Sequence, residues 1–164
     1  MSRITKDEYY LEIAKLITKR GTCIRRNYGA VIVQNDRIVS TGYTGSPRGS
    51  TNCIDSGVCP RNESGCKQGN GYDVCRGVHA EQNAIINASS NDMIGSTMYV
   101  ACDVVIGPIR PCKLCRSMII NAGIRKVVCS GAHGDPIVVY ENSTWYNIGG
   151  GILIDFMDRG DYGY

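Results

Sequence analysis

Two short runs constrain this chain more than any other feature. His79-Ala80-Glu81 opens a helical pattern that runs on to Ala88, and Pro111-Cys112-Lys113-Leu114-Cys115 opens another that ends at Asn121. Met98 to Ala101 reads as a strand between them, and Lys126 to Cys129 as the strand that follows. Pro111 at the start of the second helix and Gly123 beyond its end suit the two termini. The alternation of helix and strand after residue 79 indicates an α/β layered fold. A helix start projects free N–H groups and a partial positive charge, which favours thiolate over thiol at Cys112.

That donor set points to a metal. One His and two Cys from two helix starts hold zinc through three protein ligands and leave the fourth position open, whereas a closed structural site uses four. Zinc lowers the pKa of bound water from about 15.7 to about 7. Glu81 lies two residues after His79 on the same turn. It is not a ligand in this reading: it takes the proton from water and passes it to a ring nitrogen and then to the leaving amine. These are the parts needed to deaminate an amidine-like ring carbon. H-x-E followed by P-C-x-x-C is the described signature of zinc nucleobase deaminases. A lone CxxC is weak, but both halves at helix starts with a strand between are specific. The rival is a closed zinc staple, which accounts for the thiols and gives Glu81 no role.

The rest of the chain fits a cytosolic enzyme. Its 164 residues suit one compact domain. The net charge of +3 is too small for a protein that coats nucleic acid, yet suits a small anionic substrate. No run approaches about 18 apolar residues, so no membrane span is expected, and the N-terminus lacks the pattern of a secretory signal. Nine cysteines in a reducing compartment read as metal ligands more than as disulfides. Cys102 and Cys129, in apolar strand-like runs, read as buried small hydrophobes.

Upstream, residues 6 to 20 place Tyr9, Tyr10, Ile13, Leu16 and Ile17 at helical spacing, with Gly21 as the stop. A hairpin follows: Ala30 to Val33, a turn at Asn35-Asp36, then Ile38-Val39. Residues 44 to 75 are rich in Gly, Ser, Pro, Asn and Cys and have no core-forming pattern. A loop of that length needs something to order it, and its cysteines suggest a metal. Beyond residue 131, Ile137 to Tyr140 and Ile152 to Phe156 are candidate strands, Gly149 to Gly151 breaks the pattern, and the end reads as a loose tail.

The runs GTCIRRNYGAVIVQNDRIVSTGYTGSPRG, NCIDSGVCPRN, CRGVHAEQNAI and RPCKLCRSMIINAGIRKVV together resemble the deoxycytidylate deaminases of bacteria and phages. The similarity covers about residues 4 to 130, leaving 131 to 164 as a C-terminal extension. It implies the three-layer cytidine deaminase-like fold, a mixed five-stranded sheet with helices on both faces. It implies conversion of dCMP and water to dUMP and ammonia, with His79, Cys112 and Cys115 on catalytic zinc and Glu81 as proton shuttle. It further implies a homohexamer, activated by dCTP with Mg²⁺ and inhibited by dTTP. The family usually has Asn in a G-Y-N-G motif that helps hold the nucleotide. Here the motif is Gly42-Tyr43-Thr44-Gly45, and a single hydroxyl cannot make the two-ended contacts of an amide. A modified pyrimidine nucleotide, another phosphorylation level or another ring therefore stays open beside dCMP. The 102 to 110 stretch is longer than in many relatives.

The resemblance also implies a second, structural zinc. Five thiols compete for four places: Cys23, Cys53, Cys59 and Cys75 are favoured, with Cys66 the alternative. Substrate contacts are expected from Thr44, Ser46, Arg48, Arg26 and Ala80. Arg25 is a further phosphate candidate, and the Ser46-Pro47-Arg48-Gly49 segment is preferred because it follows the substrate-contacting motif. Two rivals to a free-nucleotide deaminase remain. One is the same chemistry on a nucleoside or a nucleic-acid base. The other is a nucleotide sensor that has lost catalysis.

Overall fold

The computed structural model describes residues 3–67, 70–104, 109–131 and 133–141. Helix α1 (Lys6–Thr18) begins at a reciprocal cap: the Glu8 N–H donates to Thr5 Oγ1 at 3.2 Å and the Thr5 N–H to Glu8 Oε2 at 2.6 Å. Strands β1 (Tyr28–Gln34) and β2 (Arg37–Tyr43) form the expected hairpin. Its turn residues Asn35 and Asp36 both take positive φ, 51° and 60°, the conformation a two-residue turn needs to match strand twist. Two single-turn helices, α2 (Cys53–Ser56) and α3 (Pro60–Glu63), punctuate the long cysteine-bearing segment. Then come α4 (Ala80–Asn87), α5 (Ser90–Met93), β3 (Thr97–Cys102), α6 (Lys113–Asn121), β4 (Lys126–Ser130) and β5 (Pro136–Glu141).

The strands make one mixed sheet in the order β2-β1-β3-β4-β5. Only β3 and β4 pair in parallel; β1–β2, β1–β3 and β4–β5 are antiparallel. The parallel pair needs a crossover, which α6 supplies. Successive side chains on a strand point to opposite faces, so each face has its own core. On one face Tyr10, Leu11 and Ala14 of α1 pack on Val31, Val33, Tyr99 and Val128. On the other, α4 and α6 bring Ala80, Ala84, Cys115 and Ile119 against Ala30, Ile32, Met98 and Val127. The result is the expected α/β architecture of three layers with helices on both faces.

Two glycines set how closely the layers approach. A Cβ on Gly29 would lie 2.0 Å from the Ala14 carbonyl oxygen of α1, and one on Gly42 would lie 2.2 Å from that of Ala80 in α4. Any side chain at either position pushes a helix off the sheet.

The core stripe of α1 differs from the expected one. Tyr9 and Leu16 are exposed, and the buried line is Tyr10, Leu11, Ala14 and Thr18, with Ile13 and Ile17 partly covered. Helical spacing permits both stripes; the close approach at Gly29 demands a small residue, and Ala14 supplies it. Cys102 and Cys129 are buried, as their apolar surroundings suggest. Residues 137 to 140 fall within β5. The proposed strand at 152–156, the glycine run and the tail lie outside the described residues. Among the described residues, no helix is long and apolar enough to cross a membrane.

Candidate active site

His79 and Cys112 occupy equivalent places, each the extended residue immediately before its helix. Gln82 Oε1 accepts the His79 N–H at 2.9 Å and holds the entry to α4. Before α6, Arg116 Nε donates to the Pro111 carbonyl at 2.8 Å and pins the approach to Cys112. Because both helices lie on one sheet face, their first turns meet. His79 Nδ1 stands 3.5 Å from Cys112 Sγ and 3.4 Å from Cys115 Sγ, with all three donor atoms within 4.8 Å of one another.

This set fits zinc. Zn–S bonds of about 2.3 Å and a Zn–N bond of about 2.0 Å at a tetrahedral angle place nitrogen and sulfur about 3.5 Å apart. Both nitrogen–sulfur distances here match that edge. A hydrogen bond from the Cys115 thiol pulls the Cys112 thiol down, assisted by His79, while the same bond and burial push the Cys115 thiol up. Burial pushes the His79 imidazole down, but the bond to Cys112 and the charge of Glu81 outweigh it and leave its pKa raised.

Glu81 is fully buried, and neither of its carboxylate oxygens has a hydrogen-bond partner. Burial raises its pKa to about 7, against the opposing pull of His79. A carboxyl in that state is costly to fold unless something polar meets it. It opens onto a cavity that His79 and Glu81 line together with Tyr28, Thr44 and Ser46. An antiparallel bridge between Gly45 and Val78 brings the Gly42-Tyr43-Thr44-Gly45 motif beside His79.

Thr44 is stitched to the start of β1 from both sides. Its Oγ1 accepts the Tyr28 N–H at 3.1 Å, and its N–H donates to the Tyr28 carbonyl at 3.1 Å. The hydroxyl proton and one lone pair remain to meet a ligand, both on a single atom, where an amide presents its donor and its acceptor on two. Ala80 is buried at the first turn of α4, directly over Gly42.

Arg25 and Arg26 also line the cavity, but Arg48 does not. Arg48 Nη2 donates to Asn87 Oδ1 at 2.7 Å, at the far end of α4 from His79. Ser46 and Arg48 are close in sequence but part company in space. The cavity also takes in Thr22, Arg61 and Tyr72, none of which the sequence marks: they stand in irregular segments with no periodicity.

Cys23, Cys53, Cys59 and Cys75 all line the same cavity, whereas Cys66 lies outside it with Ser64 Oγ at 3.0 Å. Burial raises the Cys53 thiol, and Cys23, Cys59 and Cys75 act on it as neighbouring charges. Among the described residues, only His79, Cys112 and Cys115 gather closely enough to form a metal-ligating group.

Fold and site together define an α/β protein with a buried three-ligand zinc centre open to a cavity. Residues 4–131 match the family model described as the cytidine and deoxycytidylate deaminase zinc-binding region, and the chain belongs to that family. It is 39% identical over 133 residues to a deoxycytidylate deaminase of Mycobacterium phage D29, covering 78% of this chain and 96% of that one. It is also 39% identical over 122 residues to the deoxycytidylate deaminase of Schizosaccharomyces pombe, covering 74% of this chain but only 36% of the yeast protein's length. Among solved structures it resembles the cyanophage S-TIM5 dCMP deaminase in complex with dCMP and dUMP. There the TM-score is 0.54 and the identity 28%, over 77% of this chain and 83% of that one.

Proposed function

We propose that the protein is a zinc-dependent deaminase that converts dCMP and water to dUMP and ammonia. The observation that carries the reading is the buried, unpartnered carboxyl of Glu81 beside the His79–Cys112–Cys115 cluster, in the wall of a cavity it shares with His79. When bound, zinc supplies Lewis acidity, which makes water a usable nucleophile near neutral pH. Glu81 takes the proton from that water, delivers it to the ring nitrogen next to the reacting carbon, and later returns a proton to the departing amine. Thr44 donates its hydroxyl proton to the nucleotide, and Ser46 and Arg26 face it from the cavity wall.

The same reading extends to a second zinc on Cys23, Cys53, Cys59 and Cys75. Its support is their common wall and the influence of the other three thiols on Cys53. Metal analysis of the pure protein should give two zinc per chain; one per chain removes this extension. A homo-oligomer, a cytoplasmic setting and regulation by dCTP with Mg²⁺ and by dTTP complete the proposal, supported by the family alone.

The test is ammonia release from dCMP, CMP, dCTP, deoxycytidine and 5-substituted dCMP by the zinc-loaded protein. Preference for dCMP supports the reading and makes Thr44 a tolerated replacement for the usual Asn. Turnover of another member of the set but not of dCMP moves the specificity elsewhere. Binding without turnover of any of them replaces the enzyme with a sensor.

A further inference from the structure

Three arginines line the cavity, and they differ in what else they touch. Arg25 is exposed, and Arg26 reaches the Tyr28 side chain. Arg61, on the single-turn helix α3, sits over an aromatic ring instead. Its guanidinium carbon lies 4.7 Å from the centre of the Tyr72 ring, and that ring meets the His79 imidazole edge to face at 5.6 Å and 62°. Arg61 Nε and the Tyr72 hydroxyl are both buried without a hydrogen-bond partner. Among the described residues, Arg61 makes no ion pair with any carboxylate.

Each of these facts has a physical consequence. A cation–π contact steadies the charge of a guanidinium but gives its N–H donors no oxygen or nitrogen acceptor, and Arg61 Nε has none. Those donors match a pair of phosphate oxygens in spacing and charge. A cation held in a cavity with no counter-ion gains most from an anion that arrives with the substrate. One aromatic ring separates Arg61 from the metal-ligating imidazole, much as one sugar separates the base of a nucleotide from its phosphate.

We propose that Arg61 is a specificity-determining residue that binds the 5′-phosphate of the substrate, and that Tyr72 is the positioning residue that presents it. The inference rests on the nucleotide reading above and adds the residue that tells nucleotide from nucleoside. Arg48, tied to Asn87 on the outer surface, takes no part in it.

The test uses the zinc-loaded full chain with Arg61→Gln, Arg61→Lys, Tyr72→Leu and Tyr72→Phe, each assayed on dCMP and on deoxycytidine. Wild type should prefer dCMP. Arg61→Gln should raise the KM for dCMP about tenfold or more with little change in kcat, and should leave kcat/KM for deoxycytidine within about twofold. Arg61→Lys, which keeps the charge but not the fork, should fall between. Tyr72→Leu should reproduce part of the loss on dCMP, and Tyr72→Phe, which keeps the ring under the guanidinium, should restore it. Equal losses on both substrates, or no change on either, overturn the role of Arg61 and leave nucleotide deamination standing. A wild-type protein that deaminates neither substrate removes the parent reading and this inference together.

Discussion

Replacing Gly42 by Ala adds one methyl group at the contact that sets the height of the catalytic helix. Its Cβ would lie 2.2 Å from the Ala80 carbonyl oxygen and 2.3 Å from the Ala84 backbone nitrogen. Both are backbone atoms and cannot swing aside, so α4 must retreat by about 1 Å to reach ordinary contact. Overpacking of this kind costs about 1–3 kcal/mol, which for a chain of this size is roughly 3–10 °C in Tm. The retreat carries His79 and Glu81 with it, and a misplacement of about 1 Å at reacting groups costs about 10²-fold in rate. Gly29→Ala is the matched control. Its Cβ meets the Ala14 carbonyl oxygen at 2.0 Å, but α1 lies on the face away from the site. Thermal melts and steady-state kinetics at 20 °C should therefore show two destabilised proteins, of which only Gly42→Ala loses kcat/KM severely. Comparable kinetic losses in both, or a Gly42→Ala protein with wild-type kcat/KM, would refute the argument that this contact sets the site.

Further expectations follow from the same geometry. Glu81→Gln keeps the shape but not the proton chemistry, so turnover should fall by about 10²–10⁴ while zinc content and dUMP affinity, read by metal analysis and calorimetry, stay near wild type. Cys112→Ser should cost one zinc per chain and abolish turnover, and a chelator should do the same to wild type reversibly. The buried Tyr10 has its pKa pushed up to about 12 by desolvation and by its bond to Asp36, and burial raises Tyr28 and Tyr99 as well. A folded-state pKa above the unfolded value of about 10 gives stability that is complete below pH 10 and lost as pH rises through 12. Melts from pH 8 to 12 should show that fall, and Tyr10→Phe should reduce its steepness; a flat profile would remove the linkage.

The sequence by itself determined the chemistry and the layering. His79, Glu81, Cys112 and Cys115 are legible because each lies in or just ahead of a helix's first turn, where spacing of two or three residues along the chain is also proximity in space. Strand and helix patterns alternate clearly after residue 79, so an α/β layered fold and the burial of Cys102 and Cys129 could be read from composition and period, while the arrangement of the layers came from the family resemblance. The tertiary structure decided whatever depends on contacts between distant segments. It chose Tyr10, Leu11 and Ala14 over Tyr9 and Leu16, because Gly29 admits only a small residue beneath α1. It sent Arg48 to Asn87 while keeping Ser46 in the cavity, because the chain turns away between them. It also set Arg61 over Tyr72 and Tyr72 edge-on to His79, a sequence of contacts within an irregular segment that has no period to betray it. Local pattern follows from the geometry of one element, whereas a cavity wall is assembled by several, and only their packing says which side chains meet.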